Sequence, residues 1–469
     1  MKKNLFQIVI IGGGPAGVAA AISAVNEGAE DVLIIEKEPY NRHRIGEILL
    51  TQTILELKEL GIAEDLHKYA EKFQWGKKYA AAYVHGKDRT PWKVQNNHPL
   101  AKDEDQSHIP ESYIDPETRL WYTFMVRRHE FDESLREIAA SRGVQFIHGS
   151  VKKVNIISEE KKEQSTVSSL EVTELTGESY RINAQFVIDA TGQHAVIARQ
   201  LSQRNVIDDW GLQARYTYFE NVDYEKAKSH GLFENGANIL SFEDGWAWVA
   251  NLGRGLTSTG IVSKKWDKGE NSFWSKFVKL PEYEKFGFDK ALLRDYQGNP
   301  TKENNFYAHP NYRFRSDVMR GKNWACCGDA AMFLDPLLSQ GVTLAISFGK
   351  QIGKIAHLIT HEDLDSNEIL QKYEHSYISE MEVLNKVVSL WYNDDFTFDT
   401  QWKVAAKKIS TIFGREIGND IEAFRWISNL ENIHHIIRDR NDKNFLSLLN
   451  EVNNIKMIHD FEKYGIISV

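Results

Sequence analysis

The chain has 469 residues, 42% hydrophobic and 26% charged, which is a globular composition long enough for about three domains or one enzyme with interleaved domains. Its formal net charge is −9 and no basic block stands out, which argues against a nucleic-acid partner. No apolar stretch reaches the length of a membrane span, and the N-terminal apolar run leads into a glycine turn instead of a cleavage site. Adjacent Cys326 and Cys327 are expected to be small packing residues, so the sequence favours a cytoplasmic protein.

The first elements predict a nucleotide site. The run "LFQIVII" is typical of a buried parallel strand, a glycine-rich turn follows, and a helix then leads to a second strand that ends at Glu36. Glycines allow a tight turn and let the backbone approach a pyrophosphate at the helix N-terminus. Glu36 stands where a carboxylate accepts from a ribose hydroxyl. A glycine turn without a ligand is the alternative.

Two lysines, Lys77 and Lys78, precede the apolar run "YAAAYV". A lysine at this place caps a strand end in water or points into a cavity, and the local sequence leaves both open. Strand alternation places the two side chains on opposite faces. The polar, proline-rich stretch from 87 to about 120 predicts a long loop or lid.

The middle of the chain alternates strand and helix patterns. "HEFDESLREIAASRG" predicts an amphipathic helix, and "VQFIHGSVKKVNII", "SLEVTEL" and "AQFVIDATG" predict strands. Between 205 and 320, segments such as "ARYTYF" and "DGWAWVANL" predict an antiparallel sheet. Trp246 and Trp248 alternate on one strand and share a face, where core packing is the simplest interpretation. After Gly341 the chain reads as helical almost to its end.

Four motifs in chain order carry a family resemblance. They are "RIGEILL", "VRRHEFD", "VIDATG" and "WACCGDAAMFLDPLLSQG", and with the glycine turn they resemble FAD-dependent monooxygenases of the aromatic hydroxylase superfamily. The resemblance implies an α/β protein: a GR2-type FAD-binding fold whose parallel sheet carries a Rossmann-like βαβ unit. Asp329 would meet the flavin ribityl chain, and the helix from Gly341 would point its N-terminus at the isoalloxazine ring. The implied cofactor residues are Gly12, Gly14, Ala16, Gly17, Glu36, Arg44, Glu47, Arg128, Asp329, Pro336 and Gly341.

Three further stretches resemble flavin-dependent halogenases. "DGWAWVANL" approaches their W-x-W-x-I-P strand with Ala250 and Asn251 in place of Ile-Pro, and "FLDPLLSQG" fits their F-x-x-P-x-x-S-x-G loop. "KYAAAYVHG" resembles the strand that bears their catalytic lysine, and "VVSLWYNDDFTFD" resembles their C-terminal aromatic segment. The resemblance makes Lys78 the catalytic candidate and Lys77 its solvated neighbour. It implies a halide or peroxide site at Ser339, Gln340 and Gly341, and a wall between flavin and substrate formed by Trp246, Trp248 and Phe333.

The domains implied by the resemblance are interleaved. An antiparallel substrate sheet and a C-terminal helical region join the FAD-binding fold, and we expect no metal site. The expected boundaries are 1–86, 123–204 and 321–360 for the three parts of the FAD-binding domain, 87–122 for the polar lid or insert, 205–320 for the substrate sheet and 361–469 for the helical region.

The implied activity is halogenation of an electron-rich aromatic ring: a phenol, pyrrole or indole, free or bound to a carrier or peptide. Reduced FAD from a partner reductase, dioxygen and a halide ion would form hypohalous acid, which Lys78 would pass to the ring. Two alternatives stay open. One is a monooxygenase that hydroxylates an aromatic or peptide-bound substrate, and the other is a flavin-binding subunit without turnover.

Overall fold

The computed structural model describes residues 4–38, 42–85, 89–95, 109–157, 160–207, 211–266, 272–302, 306–310, 313–361 and 365–391. Within these ranges the chain is mixed α/β. No helix in the described ranges is both long and apolar enough to cross a lipid bilayer. The helices are α1 (Pro15–Asn26), α2 (Thr51–Glu59), α3 (Ala63–Phe73), α4 (Arg128–Ser141), α5 (Val196–Gln200), α6 (Tyr224–Ser229), α7 (Ser272–Phe277), α8 (Gly341–His361) and α9 (Ser366–Trp391).

The strands form four sheets in the described part of the chain. They are β1 (Leu5–Ile11), β2 (Val32–Glu36), β3 (Gly76–Lys78), β4 (Ala80–Val84), β5 (Pro91–Gln95), β6 (Thr123–Met125), β7 (Gln145–Ile157), β8 (Thr166–Glu174), β9 (Ser179–Asp189), β10 (Arg204–Val206), β11 (Gln213–Glu220), β12 (Gly236–Phe242), β13 (Gly245–Asn251), β14 (Leu256–Ser263), β15 (Leu292–Arg294), β16 (Tyr307–Pro310), β17 (Phe314–Ser316), β18 (Trp324–Cys326) and β19 (Met332–Phe333).

The parallel sheet confirms the predicted nucleotide-binding fold. Its parallel neighbours run in the order β7, β2, β1, β9 and β18, and the far ends of β7, β8 and β9 extend it as an antiparallel ribbon. Strand β2 is buried at every residue, and β1 is buried over Ile8–Ile11, as expected for a sheet covered on both faces. The carboxyl ends of these parallel strands meet at one edge, where such folds bind ligands.

Helices α1 and α8 pack closely because their contact surface is built from small residues. Gly349 and Gly353 of α8 face Ala16 and Ala20 of α1, and an added Cβ would lie 2.3 Å and 2.2 Å from the carbonyl oxygens of those alanines. Both pairs are four residues apart, so each lies on one helix face. This close packing fixes the positions of two helix N-termini relative to each other.

The second large sheet contains the predicted antiparallel strands. Its order is β15, β11, β14, β13, β12, β4 and β5, with β16 paired to β11. Neighbouring strands are antiparallel except at one junction, where β4 runs parallel to β12 with Ala82 opposite Asn238. The sequence assigned β4 to the FAD-binding domain, yet its backbone extends the substrate sheet. Apolar alternation does not reveal the partner of a strand, which is why the sequence missed this.

The stretch expected to be a lid is partly regular. Pro91–Gln95 forms β5, an edge strand on β4, where the sequence predicted a loop. Proline is tolerated as the first residue of an edge strand, so Pro91 was not evidence against one. Further along, Tyr113, Ile114 and Tyr122 are buried. The predicted C-terminal helical region begins with α9, and residues 392–469, with most of the segment "VVSLWYNDDFTFD", lie outside the described residues.

Candidate active site

A cavity of about 1310 Å³ lies at the carboxyl edge of the parallel sheet and reaches the second sheet. Ligand pockets commonly measure about 300–1,000 Å³, so this one has room for more than a single small molecule. Most of the residues predicted from sequence line it: Gly12, Gly14, Ala16, Glu36, Arg44, Glu47, Arg128, Trp246, Trp248, Asp329, Phe333, Pro336, Ser339 and Gly341.

The first glycine turn opens the cavity at the N-terminus of α1. Gly12 has φ +106°, and a Cβ there would lie 2.3 Å from the Ala190 carbonyl oxygen, so only glycine fits. A Cβ on Gly14 would meet nothing within 4 Å. Gly14 is the N-cap of α1 and supplies no side-chain cap, which leaves the first N–H groups of the helix to a ligand. Gly17 does not line the cavity, and its missing Cβ lets the Gly12 carbonyl lie against the helix.

Glu36 closes this end of the cavity. Its carboxylate accepts from the Gly13 N–H at 2.7 Å, the Glu38 N–H at 2.9 Å and Arg42 Nη1 at 2.8 Å. The side chain is therefore held in place beside the turn, at the position where the sequence predicted a ribose acceptor. Its place on the cavity wall is compatible with that role.

Two charged residues of opposite sign, Arg128 and Asp329, line the cavity. Arg128, at the start of α4, makes a two-point ion pair with Asp132 at 3.0 and 3.2 Å and donates to the Ile45 carbonyl at 2.5 Å. Asp329 follows β18 and is half-buried on the cavity wall, and its partial withdrawal from water raises its pKa to about 6 against the lowering effect of Arg128. Arg44 also lines the cavity, has a more exposed side chain than Arg128, and pairs with Glu38 at 2.7 Å.

The second helix N-terminus belongs to α8. Ser339 has φ +57°, a left-handed conformation, and its N–H donates to the Pro336 carbonyl at 2.9 Å. That amide is consequently engaged within the turn. Gly341, the first residue of α8, lines the cavity, whereas the buried Gln340 lines a small adjoining cavity of about 30 Å³ with Asp329 and Phe333. A space of that size holds one water molecule or a small ion.

Trp246 and Trp248 lie side by side on β13 and both line the cavity, as strand alternation predicted. Their ring centroids are 5.9 Å apart. The Trp248 indole N–H donates to Ser258 Oγ at 3.1 Å, so this ring is fixed by a buried hydrogen bond. A Cβ on Gly260 would lie 2.2 Å from the Trp248 ring, so glycine is needed there for the indole to fit. The two rings therefore line the cavity and are also buried in the packed interior of the protein.

Lys78 is buried and Lys77 is not. Lys78, 3% exposed, donates from Nζ to the Leu49 carbonyl at 3.1 Å, and burial lowers its pKa to about 8. Lys77 lies on the other face of β3, exposed, with Nζ 4.3 Å from the Tyr122 ring centroid. Lys78 does not itself line the cavity, but Leu49 directly follows the cavity-lining residues Glu47 and Ile48.

Sequence reasoning missed a group of aromatic and imidazole side chains in the cavity. His43 stacks on Tyr307 with ring centroids 3.9 Å apart and on Tyr216 at 5.4 Å, and His309 lies on the same cavity wall. Tyr216 belongs to the "ARYTYF" strand, and Tyr307 and His309 alternate on β16. The alternation was visible in the sequence, but the meeting of β11, β16 and His43 depends on tertiary structure.

The residues present fit a bound dinucleotide flavin. Two helix N-termini open on one cavity, the space beside Gly14 is free of atoms, and a buried carboxylate stands at the end of β2. Backbone N–H groups at helix ends bind pyrophosphate and favour negative charge. Such a cavity would hold the pyrophosphate at α1 and the flavin ring near α8.

Comparison with known proteins adds independent information. The family model described as tryptophan halogenase matches residues 7–432. The chain is 26% identical over 415 residues to a 1H-pyrrole-2-carbonyl-[peptidyl-carrier protein] chlorinase of Pseudomonas fluorescens, covering 85% of this chain and 86% of that protein. It is 26% identical over 351 residues to the corresponding brominase of Pseudoalteromonas luteoviolacea, covering 73% and 75%. The fold resembles that of the myxobacterial chondrochloren halogenase, described as a variant of FAD-dependent halogenases, with a TM-score of 0.68, 19% identity, and coverage of 91% and 97%.

Proposed function

This chain belongs to the tryptophan halogenase family, and from that premise we propose that it halogenates a pyrrole, phenol or indole ring presented on a carrier or peptide. It is a flavin-dependent oxidoreductase that uses FAD and halide. Two relatives act on a pyrrole carried by a peptidyl-carrier protein, which supports a tethered aromatic substrate here. The overall reaction would consume the arene, halide, a proton, dioxygen and reduced FAD, and release the halogenated arene, oxidised FAD and two molecules of water.

The observation that carries the proposal is the burial of Lys78. Burial lowers the pKa of Lys78 to about 8, so its ammonium gives up a proton readily near physiological pH. Its Nζ donates to the carbonyl oxygen of Leu49, the residue that follows the cavity-lining Ile48 in the sequence. Rotation of the side chain away from Leu49 would bring the amine to the cavity, where it would hydrogen-bond hypohalous acid and direct it to the ring.

Reduced FAD, when bound, would supply electrons that activate dioxygen, and dioxygen would be the oxidant that converts halide into hypohalous acid. The protein's own groups would bind and exclude water. The N-terminus of α1 would hold the pyrophosphate, Glu36 a ribose hydroxyl, and Asp329 the ribityl chain. Trp246 and Trp248 would separate the flavin from the arene, so that halogen and not oxygen reaches the ring.

The halide is proposed to bind near the start of α8. Of the three residues inferred from sequence, Ser339 already uses its N–H within the turn, so the N–H group of Gly341, which begins α8 and lines the cavity, is the better donor. Positive polarity at the helix N-terminus favours an anion there.

We assign the supply of reduced flavin to a separate reductase, because the sequence contains a single dinucleotide fingerprint, Gly12 to Gly17. A reducing cytoplasmic compartment is proposed because Cys326 and Cys327 are both buried free thiols.

The experiment that tests the function is product mass spectrometry. Purified protein with reduced FAD, dioxygen and bromide should add bromine to a pyrrole-2-carbonyl carrier protein, or to a phenol or indole from the same panel. Products that carry added oxygen and no bromine would favour the rival monooxygenase, which needs the same flavin site and no lysine. The absence of any product would favour a flavin-binding subunit.

Replacement of each lysine in the same assay tests the assigned residue. Lys78→Ala should lower halogenated product by about 10²–10⁴-fold, the range typical for loss of a positioned catalytic group, while FAD stays bound. Lys77→Ala is the matched control, adjacent in sequence and exposed, and it should retain activity. An active Lys78→Ala enzyme that still halogenates would remove Lys78 from the mechanism.

A further inference from the structure

Three side chains form a continuous hydrogen-bonded row beside the cavity. The Tyr218 hydroxyl donates to Glu47 Oε1 at 2.8 Å, and the same hydroxyl lies 2.9 Å from His43 Nε2. His43 and Glu47 both line the cavity, and Tyr218 is fully buried between them. The row therefore begins and ends at the cavity and passes through a hydroxyl that solvent does not reach.

The hydrogen-bond directions follow from the chemistry of the three groups. A tyrosine hydroxyl has one hydrogen, and an ionised carboxylate only accepts, so that hydrogen lies on the Tyr218–Glu47 bond. The Tyr218 oxygen then accepts from His43, which places the imidazole proton on Nε2. Nδ1 carries the lone pair. In this tautomer His43 takes up a proton at Nδ1 while it passes another from Nε2 to Tyr218, and it is neutral both before and after.

The surroundings favour a neutral His43 imidazole and a Glu47 carboxyl group that can accept a proton. Burial lowers the pKa of His43 to about 4 and raises the pKa of Glu47 to about 7. Glu47 Oε2 makes no hydrogen bond of normal geometry in the described chain, although the Ser258 hydroxyl is near enough to favour the charged form. Other titratable groups also face the row. Arg127 and Arg128 lie near Glu47, and Arg44, Arg128, His129 and His309 lie near His43. Three tyrosines contact the imidazole ring or lie near the Tyr218 hydroxyl: Tyr216, Tyr296 and Tyr307.

We propose that His43, Tyr218 and Glu47 form a proton relay that removes the ring proton displaced by halogen. The inference rests on the proposed function. As halogen passes to the ring, the carbon–halogen bond forms from a ring electron pair and the halogen–oxygen bond breaks, leaving its pair on oxygen. The ring carbon then loses its proton to His43 Nδ1, and the C–H electron pair restores the aromatic ring. Protons shift from His43 Nε2 to Tyr218 and from Tyr218 to the Glu47 carboxylate.

Lys78 supplies the proton that completes the balance. The oxygen released from hypohalous acid takes a proton from the Lys78 ammonium and leaves as water. Glu47 then loses its proton to solvent, Lys78 gains one, and His43 exchanges its Nδ1 proton with solvent and regains one on Nε2, so all three groups return to their starting forms. The sum is arene plus hypohalous acid giving halogenated arene plus water. No oxidant beyond hypohalous acid is needed.

The first experiment measures the relay without substrate. Infrared difference titration of the FAD-loaded protein should show a protonated-carboxyl band that titrates near pH 7 and disappears in Glu47→Gln. In Tyr218→Phe, which removes only the bridging hydroxyl, the band should titrate at a higher pH, and the coupled change in the His43 ring bands should vanish. Tyr224→Phe is the control, because it also removes a buried hydroxyl, one bonded to Thr257 at 3.0 Å away from the cavity.

The second experiment measures proton removal during turnover. Single-turnover bromination of 1,3,5-trihydroxybenzene, or of whichever panel arene gives product, is run with protiated and ring-deuterated substrate. Wild type and Tyr224→Phe should show no isotope effect. Tyr218→Phe should be at least about 10-fold slower and show a clear one, as expected when removal of the proton becomes slow. Added imidazole should restore part of the activity of His43→Gly.

The possible failures are distinct. If wild type brominates but Tyr218→Phe matches it in rate, shows no isotope effect and keeps the carboxyl titration unchanged, the relay is wrong and the halogenase assignment stands. If wild type halogenates no arene in the panel, the proposed function fails. The infrared titration is then the only test of the relay. If the Glu47 carboxyl band titrates at the same pH in wild type and in Tyr218→Phe, the relay is wrong.

Discussion

Lys77 and Lys78 show how a single step along a strand changes the chemistry of a side chain. Successive residues of β3 point to opposite faces, so one ammonium lies over the Tyr122 ring in water and the other is enclosed beside Leu49. Enclosure in a low-dielectric site disfavours the charged form. Burial lowers the pKa of Lys78 to about 8, and the buried lysine is the one that we propose for the transfer of an electrophilic halogen.

The buried lysine predicts a pH-dependent stability. In the folded protein Lys78 loses its proton at about pH 8, whereas an unfolded lysine holds its proton to about 10.5. Between these values the unfolded state binds more protons, so this residue's contribution to the free energy of unfolding rises with pH. At about 1.4 kcal/mol per pKa unit, the gain across the window is about 3 kcal/mol.

Chemical denaturation at pH 8 and pH 10.5 measures this effect. The stability of wild type relative to Lys78→Met should increase by about that amount as pH rises. Lys77→Met should follow the wild-type curve, since its side chain is exposed. A constant difference between wild type and Lys78→Met at both pH values would contradict a buried Lys78 whose pKa is lowered.

At the scale of elements, the site depends on where two helices begin. Small residues let α1 and α8 touch through their backbones, and the N-termini of both helices then open on one cavity. Two glycines of the first turn, Gly14 and Gly17, have different structural roles. Gly14 leaves space for a ligand, and Gly17 leaves space for the protein's own backbone. A sequence motif that treats them alike conceals this difference.

Substitution separates the two glycines. Gly14→Glu should fold and lose FAD, because the Cβ meets no atom within 4 Å while the carboxylate enters the pyrophosphate position. Gly17→Ala should lower the free energy of unfolding by about 1–3 kcal/mol or more, because its Cβ would lie 2.0 Å from the Gly12 carbonyl oxygen. Flavin absorbance and thermal melting of both variants measure occupancy and stability. Full flavin occupancy in Gly14→Glu would place the cofactor elsewhere.

At the scale of the whole molecule, the cavity joins two sheets with different tasks. The parallel sheet and its helices present backbone N–H groups and carboxylates for a nucleotide. The second sheet presents the aromatic rings of Trp246, Trp248 and Tyr216 to the same space. Enclosure between the sheets would keep hypohalous acid from bulk water and close to the substrate.

This organisation predicts that no nicotinamide cofactor is needed on the protein itself. Chemically reduced FAD, dioxygen and bromide should support halogenation without NADH or NADPH. The measurement is product mass spectrometry with and without NADPH. Product that forms only when NADPH is added to the purified protein would point to a single-component enzyme that reduces its own flavin.

The local sequence was sufficient to predict the nucleotide fold. Strand β1, the glycine turn, α1 and β2 are consecutive in the chain, and their pattern depends on near neighbours. The same holds for the shared face of Trp246 and Trp248, which period-two alternation sets. Resemblance to known motifs then selected Lys78 over Lys77, and that assignment stays a prediction to be tested by substitution.

The alternation of apolar and polar residues along a strand does not show which strands and side-chain faces come into contact. Only the tertiary structure decided this. The pairing of β4 with β12 and the edge strand at Pro91–Gln95 depend on contacts between segments far apart in sequence. The row from His43 through Tyr218 to Glu47 joins residues more than 170 positions apart. Proton affinity has the same origin, because burial is a property of the assembled core: the chain encodes a lysine and a glutamate, and the fold sets the pH at which each gives up its proton.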